Sequence, residues 1–301
     1  MSILGAMGAP DFASSAIDFD DDDEGLNLAY DFKTATPLAG VEVGVAGFKV
    51  GLAVPFGNNN QIVKDDNKHN VLATLVTPDF KLVDGLTLTA GAAARLSNVA
   101  NQAISGSLKT AFETDEFSVA VASDLFYDLT SEDFEAEVAA NAVYDFLTLD
   151  AYFATLEMGE NPPLPYGGAT NVLSVQAKAE IEQFDVTVFG KDLVNTQDLG
   201  ASVKFQATDE LAVTARGGYV IATEVWNAGA DVEYKVDALT AKAGATFYKD
   251  SILEAYASVE TTTLVDGATL SLAWKDAKDL LDKGTPATKY GKVVAAAKIA
   301  F

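Results

Sequence analysis

The stretch VLSVQAKAEIE, residues 172–182, alternates apolar and polar side chains without a break from Leu173 onward. Leu173, Val175, Ala177, Ala179 and Ile181 would lie on one side of an extended chain, with Ser, Gln, Lys and Glu on the other. A period of two residues is typical of a β-strand that has one apolar and one polar face. This stretch therefore predicts a strand whose two faces meet different surroundings.

The same alternation recurs in nearly every segment from Leu26 to Phe301. Short turns, acidic or containing Gly, separate the alternating runs and are centred near Asp84, Asp115, Asp145, Gln183, Asp209, Asp237 and Asp266. Such turns are typical of β-hairpins. Longer and more variable links join one hairpin to the next, which indicates an antiparallel up-and-down meander. A long meander exposes two edges, and closing into a barrel removes both.

The predicted fold class is all-β, a closed antiparallel up-and-down transmembrane β-barrel of about 16 to 18 strands. Residues 1–24 form an N-terminal segment with a possible first strand, Ala13–Phe19, and an acidic loop, and residues 25–301 form the barrel. A hairpin around Pro37–Gly40 is expected to join Leu26–Lys33 to Val41–Phe56. Pro78 has no N–H for a closed ladder, so it predicts a bulge or an early strand end within Val71–Val83.

Composition excludes several classes of protein. The chain has 44 Asp plus Glu against 20 Lys plus Arg, a formal net charge of −24, so a nucleic-acid backbone would be repelled. It has no Cys and one His, His69, so disulfides, thiolate metal sites and most hydrolytic mechanisms are excluded. We expect no enzyme activity, no cofactor and no metal site. The acidic run Asp20–Glu24 fits a solvated loop better than an EF-hand, and His69 fits an exposed loop residue.

The polarity of the two faces indicates where the sheet lies. Hydrophobic residues make up 49% of the chain, yet no apolar run approaches the about 18 residues that a membrane-spanning helix needs. A ring of 16 or more strands encloses a lumen too wide for side chains to fill, so its inner face would be polar. Apolar outside and polar inside indicates a membrane barrel.

Aromatic residues tend to stand near the ends of the alternating runs, as interfacial girdles would require, although ordinary cross-strand packing near turns is an alternative. They include Tyr30, Phe32, Phe56, Phe112, Phe117, Phe126, Tyr127, Tyr144, Phe146, Phe184, Phe205, Tyr234, Phe247, Tyr248 and Trp274.

The last run, GKVVAAAKIAF at residues 291–301, has Val293, Ala295, Ala297 and Ile299 at alternate positions and ends on Phe301. In this the chain resembles bacterial outer-membrane β-barrels of the porin type, in which a terminal aromatic is the signal for assembly. The resemblance covers architecture and matches no individual family. It implies contact with outer-membrane lipid, a possible homo-oligomer, and a mature chain, since no signal peptide precedes the first strands. Arg95 and Arg216 are the only arginines, which argues against a strongly anion-selective pore.

The predicted function is passive diffusion of small hydrophilic solutes and ions through a water-filled pore, with weak cation preference. The predicted pore-lining residues are those on the polar faces: Lys178, Glu180, Lys204, Arg216, Glu233, Lys235, Lys242 and Glu254. A loop stiffened by Pro162, Pro163 and Pro165 could fold inward or cap the rim. Two alternatives remain open: a structural or adhesive surface barrel with a blocked lumen, and a soluble all-β protein.

Overall fold

A computed structural model describes residues 2–4, 38–55, 70–97, 102–130, 132, 134–155, 171–249, 252–265, 268–277, 280 and 290–299. Within these ranges the chain forms antiparallel β-strands joined by short turns. Among the same residues there is no helix with the length and apolar character to cross a membrane. The chain divides into two compact units, Met1–Gln176 and Ala177–Phe301.

The first unit is a meander in which each strand pairs with the next along the chain. Its strands are β1 (Ser2–Leu4), β2 (Leu38–Val45), β3 (Phe48–Pro55), β4 (Asn70–Val76), β5 (Phe80–Val83), β6 (Leu86–Ser97), β7 (Ala103–Glu113), β8 (Phe117–Asp128), β9 (Phe134–Tyr144) and β10 (Leu147–Thr155). The pairing runs from β1 to β10, with β4 and β5 both paired to β6. Strand β11 (Asn171–Ile181) contains the division between the units.

The second unit continues the same up-and-down order. Its strands are β12 (Phe184–Lys191), β13 (Asp198–Gln206), β14 (Leu211–Val220), β15 (Val225–Val236), β16 (Leu239–Tyr248), β17 (Ile252–Thr261), β18 (Ala268–Ala277) and β19 (Lys292–Ile299). Consecutive strands pair from β12 through β19, with one register shift between Ala255 and Ala257. The predicted all-β antiparallel up-and-down architecture is confirmed.

The interruption at Pro78 is confirmed. Strand β4 ends at Val76 and β5 begins at Phe80, and both pair with β6. Because Pro78 cannot donate, the ladder resumes through Thr77, whose N–H donates to Ala90 O at 2.8 Å and whose Oγ1 accepts from Ala90 N at 2.9 Å. With β4 and β5 counted as one interrupted strand, the described residues hold 18 strands, as the upper predicted count requires.

The expected single strand Val41–Phe56 is wrong. Strands β2 and β3 pair with each other across a turn at Ala46 and Gly47, which have φ angles of 51° and 85°. Positive φ at both central residues is the geometry of a two-residue hairpin turn, and Gly47 is the sequence signal for it.

The first described strand, Ser2–Leu4, was not predicted. The expected strands Ala13–Phe19 and Leu26–Lys33, and the boundary between residues 24 and 25, lie outside the described residues.

Acidic turn residues adopt the conformation that the hairpins need. Asp145 and Asp237 lie in tight turns with φ of 51° and 50°, and Glu182 precedes Gln183 with φ of 54°. Asp tolerates this left-handed region better than most side chains, which explains its recurrence between runs. The predicted turns at these positions are confirmed, and the tight turns set the register that sorts side chains onto the two faces.

Candidate functional site

Among the described residues, one face of each unit carries no charged side chain and is apolar apart from a few hydroxyl groups, including those of Thr110, Ser123 and Thr261. In β15, Trp226, Val232 and Tyr234 stand on this face, and their register partners Tyr219, Val213 and Leu211 on β14 share it. These side chains are open to the surroundings; Val232 is 43% and Leu272 on β18 is 54% exposed. The first unit has the same face, with Val50 and Leu52 exposed on β3. We call this surface of each unit the outer face.

Aromatic rings gather at two levels of the outer face. Near the tight turns lie the ring pairs Phe48–Phe80, Phe112–Phe117 and Phe184–Phe205, with centroids 6.2, 5.6 and 4.9 Å apart. At the opposite strand ends Trp226 packs on Phe247 at 5.8 Å. In β8 the two levels are Phe117 and Tyr127, ten residues or about 33 Å apart along the strand, which becomes about 24 Å at a tilt of 45°.

Two residues expected among these rings are on the other face. Phe126 is the register partner of Ser105 and Glu135, and Tyr248 is the partner of Asn227 and Ile252. Phe126 precedes Tyr127 and Tyr248 follows Phe247, and these two neighbours do lie on the outer face. Adjacent residues of a strand point to opposite faces, so an error of one residue in the predicted strand changes the predicted face. The inclusion of Phe126 and Tyr248 in an outer girdle was therefore wrong.

The opposite surface of each unit, the polar face, brings together most of the residues predicted from the sequence. Register partnerships from β12 to β17 place Lys204, Arg216, Glu233, Lys242 and Glu254 on this face of the second unit. Lys235 lies two residues after Glu233 and opposite Thr240 on the same face. On β11, Lys178 is half-buried and Glu180 is exposed, alternating with Ala177 and Ala179.

Charges on this face are paired across neighbouring strands. Lys242 and Glu233 are direct register partners, and Lys242 Nζ lies 2.7 Å from Glu233 Oε2. Lys204 Nζ lies 3.8 Å from Asp185 Oδ2 on the preceding strand. Glu254 accepts a hydrogen bond from the Tyr248 hydroxyl at 3.2 Å. The Lys242 and Glu233 side chains are 50% and 41% exposed, so this pair remains in contact with water.

Arg216 is the centre of a four-residue network on the polar face. Its guanidinium forms an ion pair with Asp231 on β15 and donates to Thr246 Oγ1 on β16 at 2.9 Å. Asp231 also accepts from the Tyr256 hydroxyl on β17 at 2.7 Å. The network spans four strands and joins one cation, one anion and two hydroxyl groups. We call these four residues the arginine network.

Three acidic residues on the polar face of the first unit are buried. Asp124 and Glu137, register partners on β8 and β9, are each 1% exposed, and Asp150 on β10 is 7% exposed. Asp150 accepts from Asn141 Nδ2 at 2.6 Å and Gln176 Nε2 at 3.4 Å. Asp124 and Glu137 have interaction partners of their own.

No group of three or more His, Cys, Asp or Glu residues within the described part of the chain is arranged to hold a metal ion. Ile299, half of the predicted assembly signal, is the last residue of β19. Phe301, the other half, lies outside the described residues, as do the acidic run Asp20–Glu24, His69 and the proline-containing loop.

Sequence analysis missed the partners of the predicted residues. Asp185, Asp231, Thr246 and Tyr256 complete the pairs of the second unit, and the buried acids of the first unit form a separate group. Alternation alone already put Asp231 on the polar face, between Ala230 and Val232. Which residue it pairs with depends on strand register, and that is set by turns whose exact positions a single sequence leaves open.

No protein-family model matches the chain, and neither does any curated protein. Among solved structures the chain is similar to two triple mutants of Rh. blastica porin, at 9% and 10% identity and a TM-score of 0.45, over 83% of this chain and 89% of those chains. A chain described as "Asymmetric conductivity of engineered proteins" is similar at 10% identity and a TM-score of 0.45, over 83% of this chain and 95% of that chain. At these values the similarity concerns strand arrangement and says nothing about a solute.

Proposed function

We propose that the chain closes into an outer-membrane β-barrel that lets small hydrophilic solutes and ions diffuse through a water-filled pore. The observation that carries this proposal is the contrast between the two faces of the second unit. Its outer face is apolar, uncharged and uncovered, and its polar face bears hydrated, paired charges. In water such an outer face would be an aggregation surface, whereas in lipid it is stabilised.

Closure follows from the same physics. An open sheet edge in lipid leaves backbone N–H and C=O groups without partners, at a cost of several kcal/mol for each group. In an up-and-down order, a pairing between the first and last strands of the chain removes that cost. A barrel of 18 strands encloses an aqueous lumen. Pore-lining residues are then those of the polar face, including Lys204, Arg216, Glu233 and Lys242.

The expected ion preference is weak and toward cations. The net charge of −24 makes the electrostatic potential around the pore negative, which favours cations. Close pairing of Lys with Glu or Asp on the polar face of the second unit cancels much of the local field. The remaining field acts over a screening length of about 8–10 Å at physiological salt, so cation preference should be strongest at low salt and fade as salt rises.

Planar-bilayer recording of the refolded full-length protein tests the proposal. We expect discrete conductance steps and a reversal potential of cation-preferring sign across a KCl gradient. The control is the same protein heated beyond refolding, which should give no steps. Absence of any conductance from protein that is folded and inserted would contradict the channel function.

The second candidate is a structural or adhesive surface barrel with a blocked lumen. The buried acids on the polar face of the first unit favour it, because Asp124 and Glu137 are inaccessible to solutes. Insertion into membranes without conductance is the result that would support this candidate over a channel.

Phe301 and Ile299 are proposed to form the end of chain that the assembly machinery binds, which rests on the resemblance of the terminal run to outer-membrane barrels. Deleting Phe301 should reduce outer-membrane insertion in cells, while refolding in detergent stays close to wild type. Unchanged insertion in cells would contradict the assignment.

A further inference from the structure

Two glycines on the polar face of the second unit occupy the positions that the arginine network crosses. Gly229 on β15 is the register partner of both Arg216 on β14 and Thr246 on β16. Gly244 on β16 is the register partner of both Asp231 on β15 and Tyr256 on β17. Each glycine therefore lies between two residues that contact each other across it.

Gly244 leaves the space in which the Asp231 carboxylate lies. A Cβ atom added at Gly244 would overlap Asp231 Oδ1 and would lie 2.6 Å from Tyr256 Cε1. The backbone φ of Gly244 is not positive, so the position does not need a glycine for its backbone conformation. Its effect is steric, because it allows the hydroxyl of Tyr256 to reach Asp231 Oδ1 across the intervening strand.

Holding Asp231 in this position decides what a passing solute meets. With the carboxylate flat against β16, its charge faces Arg216 and its side chain is only 15% exposed. If the Asp231 side chain extended toward the solvent, its negative charge would lie nearer a passing solute and farther from the Arg216 guanidinium. Two unit charges about 8 Å apart in water interact by about 0.5 kcal/mol before screening, so the position of one carboxylate is enough to change ion preference.

We propose that Gly244 is a specificity-determining residue of the pore. Its lack of a side chain lets Asp231 lie against the wall, where Arg216 neutralises the carboxylate and the Tyr256 hydroxyl donates a hydrogen bond to it. The pore then favours solutes without net charge over ions. This inference rests on the proposed channel function. The solute class it implies is small and hydrophilic, uncharged or zwitterionic, because the network offers donors and acceptors close together with no net charge.

Gly244→Ala is the direct test, measured as the K⁺ to Cl⁻ permeability ratio from reversal potentials at about 0.1 M salt. Displaced from the wall, the Asp231 carboxylate should raise this ratio about twofold. Tyr256→Phe removes only the hydroxyl that holds Asp231 and should shift the ratio in the same direction by less. Tyr256→Phe retains the aromatic ring, so it should fold and test the inference even if Gly244→Ala does not fold.

The matched control is Gly106→Ala on β7. A Cβ atom at Gly106 would meet no atom within 4 Å, so the change replaces glycine by alanine in a strand without displacing a side chain. We expect its permeability ratio to equal that of the wild type. Asp231→Asn should shift the ratio toward anions, because Arg216 loses its partner, and adding Gly244→Ala to that variant should cause no further change.

The outcomes separate this inference from the function on which it rests. A wild-type protein without conductance contradicts the channel. A conducting wild type in which Gly244→Ala leaves the ratio unchanged, or shifts it equally in the Asp231→Asn background, overturns the role of Gly244 and leaves the channel standing.

Discussion

The two units have similar outer faces, but a charged pair on the polar face of one is buried and a charged pair on the polar face of the other is open to water. In the first unit Asp124 and Glu137 face each other at 1% exposure. In the second unit Glu233 faces Lys242 at 41% and 50% exposure. Both pairs come from direct register partners on adjacent antiparallel strands. Strand pairing is therefore common to the two units, and the pairs differ both in burial and in the sign of the partner's charge.

This difference assigns different roles to similar residues. Removing a buried carboxylate leaves the polar groups that contact it buried and without a partner, which lowers the free energy of unfolding. Such a residue therefore contributes mainly to stability. A hydrated carboxylate paired with lysine contributes little to stability, and in the proposed pore it would act on the ions that pass it. Polar residues of the first unit are accordingly expected to hold the fold, and those of the second unit to set conduction.

The largest expected effect compares the loss of a carboxylate in the two units. Asp150→Ala should lower the free energy of unfolding by about 3–5 kcal/mol, because it removes two hydrogen bonds to a buried carboxylate that each contribute about 1.5–3 kcal/mol. Glu233→Ala should lower it by less than about 1 kcal/mol, as for an exposed ion pair. Urea unfolding of protein refolded into lipid vesicles, with each variant at equal protein and lipid concentration, measures both. Equal losses would remove the distinction between the units.

The next effect should be the same in both units, because their outer faces are alike. Ala140→Arg on β9 and Ala230→Arg on β15 each place a charge on the outer face and should cost about 2–4 kcal/mol near the bilayer midplane. Thr187→Arg on the polar face of β12 is the control and should cost much less, since it faces water and its register partner is Ser202. The comparison uses the same unfolding measurement in vesicles. A tolerated arginine at Ala230 would mean that this face does not meet lipid.

The smallest expected effect on stability accompanies a clear effect on conduction. Lys242→Gln removes the partner of Glu233 and should change the free energy of unfolding by less than about 1 kcal/mol. It should also raise cation preference, because Glu233 keeps its charge. Reversal potentials at two salt concentrations measure this, and the shift should shrink at higher salt. A shift that does not depend on salt would argue against a screened field as its cause.

Alternation predicted the architecture and the polar-face positions because both depend only on a period of two. It placed Lys204, Arg216, Glu233, Lys242 and Glu254 on one face, and the strand register also puts them together, while their place in a pore lining stays a prediction. It did not find the turn at Ala46 and Gly47, since VEVGV and FKVGL alternate on both sides and leave only one glycine as a signal.

Burial and pairing could not be predicted from the sequence. Glu137 and Glu233 stand in similar alternating contexts, FEAEVAAN and ADVEYKVD, and only their burial in the folded chain distinguishes them. Gly244 likewise has no sequence signal for its role, because its effect depends on Asp231 and Tyr256 from two other strands. Pro78 was different, since a missing N–H acts at its own position and could be predicted locally.

Cysteine accessibility tests the central comparison most directly, and the chain has no native cysteine to interfere. Single cysteines at Glu233, Val232 and Ala139 would be exposed to a water-soluble thiol reagent in intact vesicles. The account predicts fast labelling at Glu233 on the open polar face, and slow labelling at Val232 on the outer face and at Ala139, which is buried on the polar face of the first unit. Labelling of Val232 or Ala139 as fast as that of Glu233 would contradict it.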